Sequence, residues 1–134
     1  MMEKIKNIDE FLNQDKIAVV GASTDRDKFG NKVFRKLQDQ GLTVYPVNPS
    51  ASSVEGAKSY PSLKDLPEKV DGIVLVVPPS VTEKIVQEAL EMGIDRIWMQ
   101  PGAESEEAVK LCQEKGICYI ARECIMVKMN TRNR

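Results

Sequence analysis

Three predicted helices of this chain end at a glycine, and an apolar strand follows each of them almost at once. The glycines are Gly41, Gly93 and Gly116. Glycine is common just past a helix C-terminus because it adopts the left-handed conformation there without a steric penalty. Helices that alternate with apolar strands build a parallel sheet covered on both faces, and right-handed crossovers make that sheet doubly wound. The sequence therefore predicts a three-layer α/β fold with a mainly parallel sheet of about five strands.

The pattern of apolar residues predicts where each element lies. The predicted strands lie at residues 17–20, 42–47, 72–77, 94–99 and 117–120, and a further short strand lies within 54–60. The predicted helices lie at residues 8–12, 31–40, 80–92 and 105–115, and a single helical turn lies at 62–66. Ser80 and Glu83 have the spacing of a capping box, which predicts that the third of these helices starts there. The apolar positions predicted for the buried face of that helix are Val81, Ile85, Ala89 and Met92.

Length and charge restrict the class of protein. The chain has 134 residues, so we expect a single domain over 1–134 with its core at about 16–127. The tail, 128–134, is polar and basic, and we expect it to be flexible. Nineteen basic and 20 acidic residues leave no basic field for nucleic acid. No apolar run reaches the ~18 residues of a membrane span, and the N-terminus lacks a signal-peptide core, so we expect a cytoplasmic protein without a membrane partner.

Histidine is absent from the sequence, and the three cysteines, Cys112, Cys118 and Cys124, are spaced six residues apart. The absence of histidine removes the commonest general base and the commonest metal ligand. The spacing of the cysteines fits neither a disulfide framework nor a zinc site. The sequence therefore predicts no catalytic constellation and no metal site. The oligomeric state stays open, a homodimer included.

Ligands of open α/β sheets bind beyond the carboxyl ends of the strands, so the segments that follow the strands form the candidate site. The first strand is followed by a glycine turn, Gly21 to Thr24, and by a helix start near Gly30. Bare backbone N–H groups and a helix N-terminus suit an anion, and Arg26 and Lys28 add positive charge. The alternative is an ordinary strand-to-helix turn with a solvated charge cluster, because two aspartates in the same loop partly offset those cations.

The glycine spacing departs from the common nucleotide-binding fingerprints. Ser23 stands where G-x-G-x-x-G requires its second glycine, and no G-K-[ST] is present. The second strand ends at Asn48 and Pro49, without the Asp or Glu that NAD enzymes use to bind ribose hydroxyls. Asn48 could bind a base or sugar edge, or it could be a turn residue. Both interpretations stay open from the sequence.

Two further strand ends suit a longer, partly apolar ligand. Pro78 and Pro79 follow the most apolar strand and form a stiff lip that suits an adenine face or an alkyl arm. The same prolines could simply terminate the strand. Gln100 to Gly102 follow the next strand and offer an amide side chain and a glycine backbone near the same edge.

Together these segments resemble the CoA-binding domain family, small Rossmann-like proteins related to the CoA-binding domain of the succinyl-CoA synthetase α subunit. The matching pieces occur in the expected order at 20–23, 45–49, 76–79, 98–102 and 122–127. The resemblance implies that the glycine turn meets the CoA pyrophosphate and that the 100–102 loop faces the pantetheine arm. The residues that it implies for binding coenzyme A or an acyl-CoA are Gly21, Ala22, Ser23, Thr24, Arg26, Lys28, Gly30, Asn48, Pro49, Val77, Pro78, Pro79, Gln100, Pro101 and Gly102.

Succinyl-CoA synthetase needs a second domain that carries a phosphorylatable histidine, and this chain has no histidine. The resemblance therefore implies a non-catalytic or accessory CoA-binding module rather than a ligase. Two alternatives remain. One is an NAD(P)-binding oxidoreductase of Rossmann type. The other is CoA redox sensing, in which Cys124 forms a mixed disulfide with the CoA thiol and would need a lowered thiol pKa.

Overall fold

A computed structural model of the chain describes residues 2–130. Five helices occur within that range, and their bounds are α1 Met2–Leu12, α2 Phe29–Asp39, α3 Pro79–Glu91, α4 Glu106–Lys115 and α5 Ile125–Met129. The strands are β1 Lys16–Val20, β2 Thr43–Val47, β3 Ser53–Val54, β4 Ala57–Lys58, β5 Gly72–Leu75, β6 Arg96–Met99 and β7 Cys118–Ala121. One 3-10 turn, Leu63–Asp65, lies between β4 and β5.

Five strands form one parallel sheet in the order β2-β1-β5-β6-β7. The chain runs outward from β1 to β2 and then returns to place β5 on the other side of β1. The strand order therefore reverses between β1 and β5, where the ends Val20 and Leu75 lie side by side. This is the doubly wound α/β sheet that the sequence predicts, and the point of reversal is where such sheets hold their ligands. Strands β3 and β4 form a separate antiparallel hairpin.

Alternate residues of each central strand face opposite layers, as the pleat of a β-strand requires. Ile17 and Val19 of β1 pack into a core shared with α1, α2 and α5. Ala18 and Val20 pack into a second core shared with α3 and α4. Because both faces are covered, the strands are apolar throughout, and this is why the sequence identifies them so clearly.

Helix α1 closes the first of these cores. Phe11 packs edge-on against Trp98, with ring centroids 5.4 Å apart. Gly72 makes room for this ring, since a Cβ at that position would lie 2.8 Å from Phe11 Cε2. The indole nitrogen of Trp98 donates to the carbonyl of Glu123 at 2.8 Å. Trp98 is therefore a core residue that also anchors the segment after β7.

The predicted capping box at Ser80 and Glu83 is wrong. Helix α3 begins one residue earlier, at Pro79, with Pro78 as an N-cap that makes no side-chain bond. Proline suits the first helical position because its φ is preset and its missing N–H would be unsatisfied there anyway. Glu83 instead accepts a hydrogen bond from the Ser105 hydroxyl. Of the predicted buried positions, Ala89 is buried and Ile85 and Met92 pack partly buried against the core, whereas Val81 is exposed. Thr82 and Val86 complete the buried face.

Two helices differ from the prediction at the ends of the chain. Helix α1 already begins at Met2, where the exposed side chains of Met2 and Ile5 give no burial pattern to detect. Helix α5 was not predicted at all. The tail that we expected to be flexible from residue 128 starts inside this helix, where Met129 is buried. Residues 131–134 lie outside the described part of the chain.

The turn after β1 packs against its neighbours backbone to backbone. Gly21 has a φ of +95°, and a Cβ there would lie 2.2 Å from the carbonyl oxygen of Val76. A Cβ at Gly30, in the first turn of α2, would lie 2.0 Å from the carbonyl oxygen of Gly21. Side chains at these two positions would force apart the glycine turn, the segment after β5 and the start of α2.

Truncation of Phe11 tests how far the fold depends on α1. We expect Phe11→Ala to lower the free energy of unfolding by about 3–5 kcal/mol, because it leaves a cavity against Trp98. Urea denaturation followed by Trp98 fluorescence measures the change. Ile5→Ala on the same helix is the matched control, and we expect it to change stability by about 0.5 kcal/mol or less because Ile5 is exposed. Equal effects of the two variants would contradict a core role for Phe11.

Gly30→Ala tests the close backbone contact. Alanine is the better helix former by roughly 0.5–1 kcal/mol, so the substitution would stabilise an open helix position. At Gly30 the methyl group would clash with the backbone carbonyl of Gly21, which has no side-chain freedom to move. We therefore expect the free energy of unfolding to fall by about 1–3 kcal/mol. Thermal unfolding measures it. Gln38→Ala, at an exposed position of the same helix, controls for propensity. A Gly30→Ala protein as stable as the parent would show that the contact relaxes freely.

Candidate functional site

The candidate site lies where the ends of β1, β2 and β5 are held together. The amide of Gly21 donates to the carbonyl of Val47 at 3.1 Å, and the amide of Val76 donates to the carbonyl of Val20 at 2.9 Å. These two bonds extend the sheet by one residue past its regular strands. The segments that the sequence singles out after β1, β2 and β5 therefore leave the sheet from one common edge.

The loop from Gly21 to Lys28 is shaped by two side-chain turns. Ser23 Oγ accepts from the amide of Asp25, and Asp25 Oδ1 accepts from the amide of Asp27, both at 3.0 Å. Within residues 2–130 the amides of Ala22, Ser23 and Thr24 make no hydrogen bond. No side chain caps the N-terminus of α2 either. The loop therefore presents unsatisfied donors, which is what an anion requires.

Positive charge gathers around the start of α2. Arg26 and Lys28, which the sequence predicts near an anion, are both exposed to solvent. The ammonium of Lys32 lies 5.4 Å from the ring centroid of Phe29, which is itself 61% exposed at the first position of the helix. The loop thus combines free backbone donors with side-chain cations in one place.

Asn48 uses its side chain inside the protein. Its Nδ2 donates to the carbonyl of Ala22 at 2.8 Å, and its Oδ1 accepts from the amides of Ser50 and Ala51 at 2.7 and 3.1 Å. The interpretation of Asn48 as a turn residue, which the sequence left open, accounts for these three bonds. The side chain also ties the loop after β2 to the glycine turn, while Pro49 beside it is exposed.

Two of the segments predicted to line the site, those after β5 and β6, form one shallow pocket. It has a volume of about 280 Å³ and is lined by Val76, Val77, Pro78, Pro101, Gly102 and Ala103. The first three follow β5 and the last three follow β6, so the pocket lies across the neighbouring ends of these strands. Pro79 is exposed at the first position of α3, directly next to it. Such a surface suits an apolar, extended group.

Gln100 does not present its amide to a ligand, contrary to its predicted place in the wall of the site. The side chain is 3% exposed. Its Oε1 accepts from the amide of Ile125 at 2.7 Å, and its Nε2 donates to Cys124 Sγ at 3.5 Å. Both ends of the amide therefore fix the start of α5. A buried amide is found where backbone groups need partners, and the sequence does not show which groups those are.

A polar network around Asn31 was not predicted from the sequence. Asn31 is fully buried. Its Nδ2 donates to the carbonyl of Ser23 at 2.8 Å and to Glu55 Oε2 at 3.0 Å, and its Oδ1 accepts from Arg35 Nε at 2.7 Å. Glu55 Oε2 also lies 3.4 Å from Arg26 Nε. The one available signal was an asparagine beside the apolar positions of the predicted helix.

The acid next to Cys124 is held in ion pairs. Glu123 pairs with Lys4 at 2.7 Å and with Lys128 at 3.4 Å. The hydrogen bond from Lys4 lowers the pKa of Glu123, so this carboxyl stays ionised at neutral pH. In the described range no cluster of three metal-ligating side chains occurs. None of the helices in the same range has the length and hydropathy needed to cross a bilayer.

Comparison with known proteins agrees with this arrangement. A family model described as the CoA binding domain matches residues 15–130. The α subunit of ADP-forming acetate–CoA ligase II from Pyrococcus furiosus is 34% identical over 135 residues, a match that covers 92% of this chain and 29% of that subunit. The uncharacterized protein YneT of Bacillus subtilis is 34% identical over 121 residues, which cover 90% of each chain.

A solved structure shows the same fold at higher identity. A conserved hypothetical protein from Pyrococcus furiosus superposes with a TM-score of 0.81 at 46% identity, covering 85% of this chain and 98% of that one. The chain thus spans 29% of the ligase subunit and nearly all of the two small proteins. Because the family model matches residues 15–130 and the small relatives match over most of this chain, this protein belongs to the CoA-binding domain family.

Proposed function

We propose that the protein binds coenzyme A or an acyl-CoA at the carboxyl edge of its sheet, without catalysing a reaction on it. The observation that carries the proposal is the glycine turn after β1. Gly21 brings the backbone against Val76 and leaves the amides of Ala22 to Thr24 without partners among the described residues. A diphosphate is the part of CoA that such a nest of donors would bind, as it does in related α/β folds.

The remaining parts of CoA match the other surfaces of this edge. The pantetheine arm is a long chain with both apolar and amide groups. It would run over the pocket between Pro78 and Gly102, whose lining is mainly apolar. The nucleoside would lie on the β2 side of the turn, next to Pro49, because nucleosides follow the second strand in folds of this type. The proposed ligand thus extends across the strand reversal between β1 and β5.

The relatives support CoA more than a dinucleotide. The family is described by CoA binding, and the ligase subunit from Pyrococcus furiosus is named for a reaction that uses CoA. The second strand ends in Asn48, whose amide is already engaged with Ala22. We limit the proposal to binding because succinyl-CoA synthetase, which the family resembles, uses a phosphorylatable histidine, and the sequence has no histidine.

Ligand-induced stabilisation tests the proposal. We expect CoA at about 100 times its Kd to stabilise the fold by ~2.7 kcal/mol, which raises Tm by several degrees in a domain of this size. Calorimetry with CoA and acetyl-CoA then gives Kd, and NADH and NADPH serve as competitors. A Kd above roughly 1 mM for both CoA and acetyl-CoA would overturn the proposal. Binding of NADH or NADPH without competition from CoA would favour an oxidoreductase instead.

A pair of lysine variants locates the site. We expect Lys28→Glu to weaken CoA binding roughly tenfold, because it replaces a cation beside the glycine turn with an anion. Lys64→Glu makes the same charge change in the 3-10 turn after the hairpin, and we expect it to leave Kd within about twofold of the parent. Equal weakening by both variants would show that only net charge matters and that CoA binds elsewhere.

A second candidate function, CoA redox sensing, rests on the arrangement of the thiols. Burial raises the pKa of Cys112 to about 11 and that of Cys118 to about 12, so both thiols stay protonated at neutral pH. Cys124 is partly exposed after β7, and its sulfur accepts a hydrogen bond from Gln100. Attack of its thiolate on CoA disulfide would form the mixed disulfide and release one CoA as the thiol.

Intact-mass spectrometry after treatment with CoA disulfide at pH 8 tests this candidate. We expect a single CoA adduct in the parent protein and none in Cys124→Ser. Cys118→Ser is the control, and it should keep the adduct because the high pKa of Cys118 leaves a thiolate fraction of only about one in ten thousand at that pH. A parent protein without an adduct, or an adduct that persists in Cys124→Ser, would remove the candidate.

A further inference from the structure

The turn of the β3–β4 hairpin carries a glutamate whose side chain points back into the protein. Glu55 and Gly56 form this turn, with φ angles of +48° and +81°. Two such residues in a row make the tight turn that matches the twist of a hairpin. Glycine adopts this conformation freely, whereas a glutamate is uncommon in it. The Glu55 side chain is only 23% exposed although it lies at a hairpin tip.

The carboxylate of Glu55 contacts Arg26 in the loop after β1 and Asn31 in the first turn of α2. Its Oε2 accepts from Asn31 Nδ2 at 3.0 Å and lies 3.4 Å from Arg26 Nε. Asn31 is a fixed anchor, because it is fully buried and also bonded to Ser23 and Arg35. Arg26 is the solvent-exposed partner, because its side chain is 65% exposed. Of the two contacts, the one with Arg26 is therefore the one that a ligand can replace.

The position of this pair indicates which part of the ligand would replace it. The hairpin follows β2, and in doubly wound sheets the segment after the second strand contacts the ribose. In NADP-binding proteins of this fold, an arginine near this position accommodates the 2′-phosphate of the ribose. CoA carries such a group, a 3′-phosphate, and dephospho-CoA differs from it only in lacking that phosphate. Arg26 lies in the loop that connects this ribose side with the glycine turn.

We propose that Arg26 binds the ribose 3′-phosphate of CoA, and that Glu55 makes this contact selective by holding Arg26 until that phosphate displaces it. The inference rests on the proposed function. A phosphate monoester carries a charge of about −1.5 to −2 at pH 7 and offers three acceptor oxygens. A carboxylate carries one charge and two oxygens. The phosphate monoester therefore displaces Glu55 from the Arg26 guanidinium, whereas each singly charged phosphate of the diphosphate does not displace it. Glu55 stays bonded to Asn31 when Arg26 leaves.

Calorimetry with CoA and dephospho-CoA on four proteins tests this exchange. The proteins are the parent, Glu55→Gln, Arg26→Gln and the double variant. Glutamine at 55 keeps an oxygen for Asn31 Nδ2 and removes only the charge that competes for Arg26. We expect Glu55→Gln to tighten CoA binding about two- to fivefold, the range of an exposed ion pair. Arg26→Gln should weaken it about five- to tenfold. Neither change should alter the Kd of dephospho-CoA by more than about twofold.

The double variant separates competition from general charge effects. Without Arg26, the Glu55 carboxylate and the 3′-phosphate no longer compete for one cation. We therefore expect the tighter CoA binding caused by Glu55→Gln to disappear and the double variant to bind CoA like Arg26→Gln. Asp27→Asn is the matched control, since it removes an exposed negative charge from the same loop without touching Arg26. It should change the Kd values of both ligands to a similar, small extent. Thermal unfolding of each variant confirms that it is folded.

Each remaining outcome has a definite meaning. Weaker CoA binding in Glu55→Gln would overturn the exchange and show that Glu55 positions Arg26 for its ligand. A gain that persists without Arg26, or that is equal for dephospho-CoA, would also overturn it while leaving the proposed function intact. Absence of CoA binding by the parent protein would overturn the proposed function itself, and the inference with it.

Discussion

Three stretches of backbone meet without side chains between them at the end of β1, and the site depends on this contact. Gly21 lies against the carbonyl of Val76, and Gly30 lies against the carbonyl of Gly21. The contact brings the turn, the start of α2 and the segment after β5 together at the strand reversal. A side chain at either glycine would separate them and cover the amides of the turn. The same two residues therefore serve the packing of the fold and the shape of a turn whose amides at Ala22 to Thr24 have no partner within residues 2–130.

The sequence predicts this fold well where burial is complete. Strands covered on both faces are apolar throughout, so β1 and β5 stand out in the sequence, and glycines mark the ends of the helices that precede β2, β6 and β7. The predicted helix bounds are wrong where contacts with distant residues, rather than the local sequence, decide where a helix begins. The capping-box spacing predicts a helix start at Ser80, but the helix begins at Pro79, whose preset φ suits the first helical position. Helix α5 has only five residues, which is too short for a periodic pattern of apolar positions. Its start is held by Gln100, a residue distant in the chain, and local sequence does not show this contact.

The candidate site is predictable in place and less so in the role of each residue. The topological rule for doubly wound sheets locates the edge, and small or charged residues after each strand identify the loops. The partners of polar side chains do not follow from such patterns. Asn48 and Gln100 look ready to bind a ligand, yet their amides satisfy backbone groups of this chain. Asn31 and Glu55 give no motif, yet they connect the hairpin to the loop after β1. Contacts between distant residues decide these roles.

The proposed CoA site combines a rigid part with a part that a ligand would exchange. The rigid part is built from backbone and buried amides: Gly21 packed on Val76, Asn48 bonded to Ala22, and Asn31 bonded to Ser23. Ordering these groups has already been achieved by folding, so a ligand does not have to supply that free energy. The exposed side chains, Arg26 among them, are the parts that remain free to rearrange. In the proposed exchange, the Glu55 carboxylate pairs with Arg26, so a ligand group that replaces it would need more negative charge than a carboxylate carries.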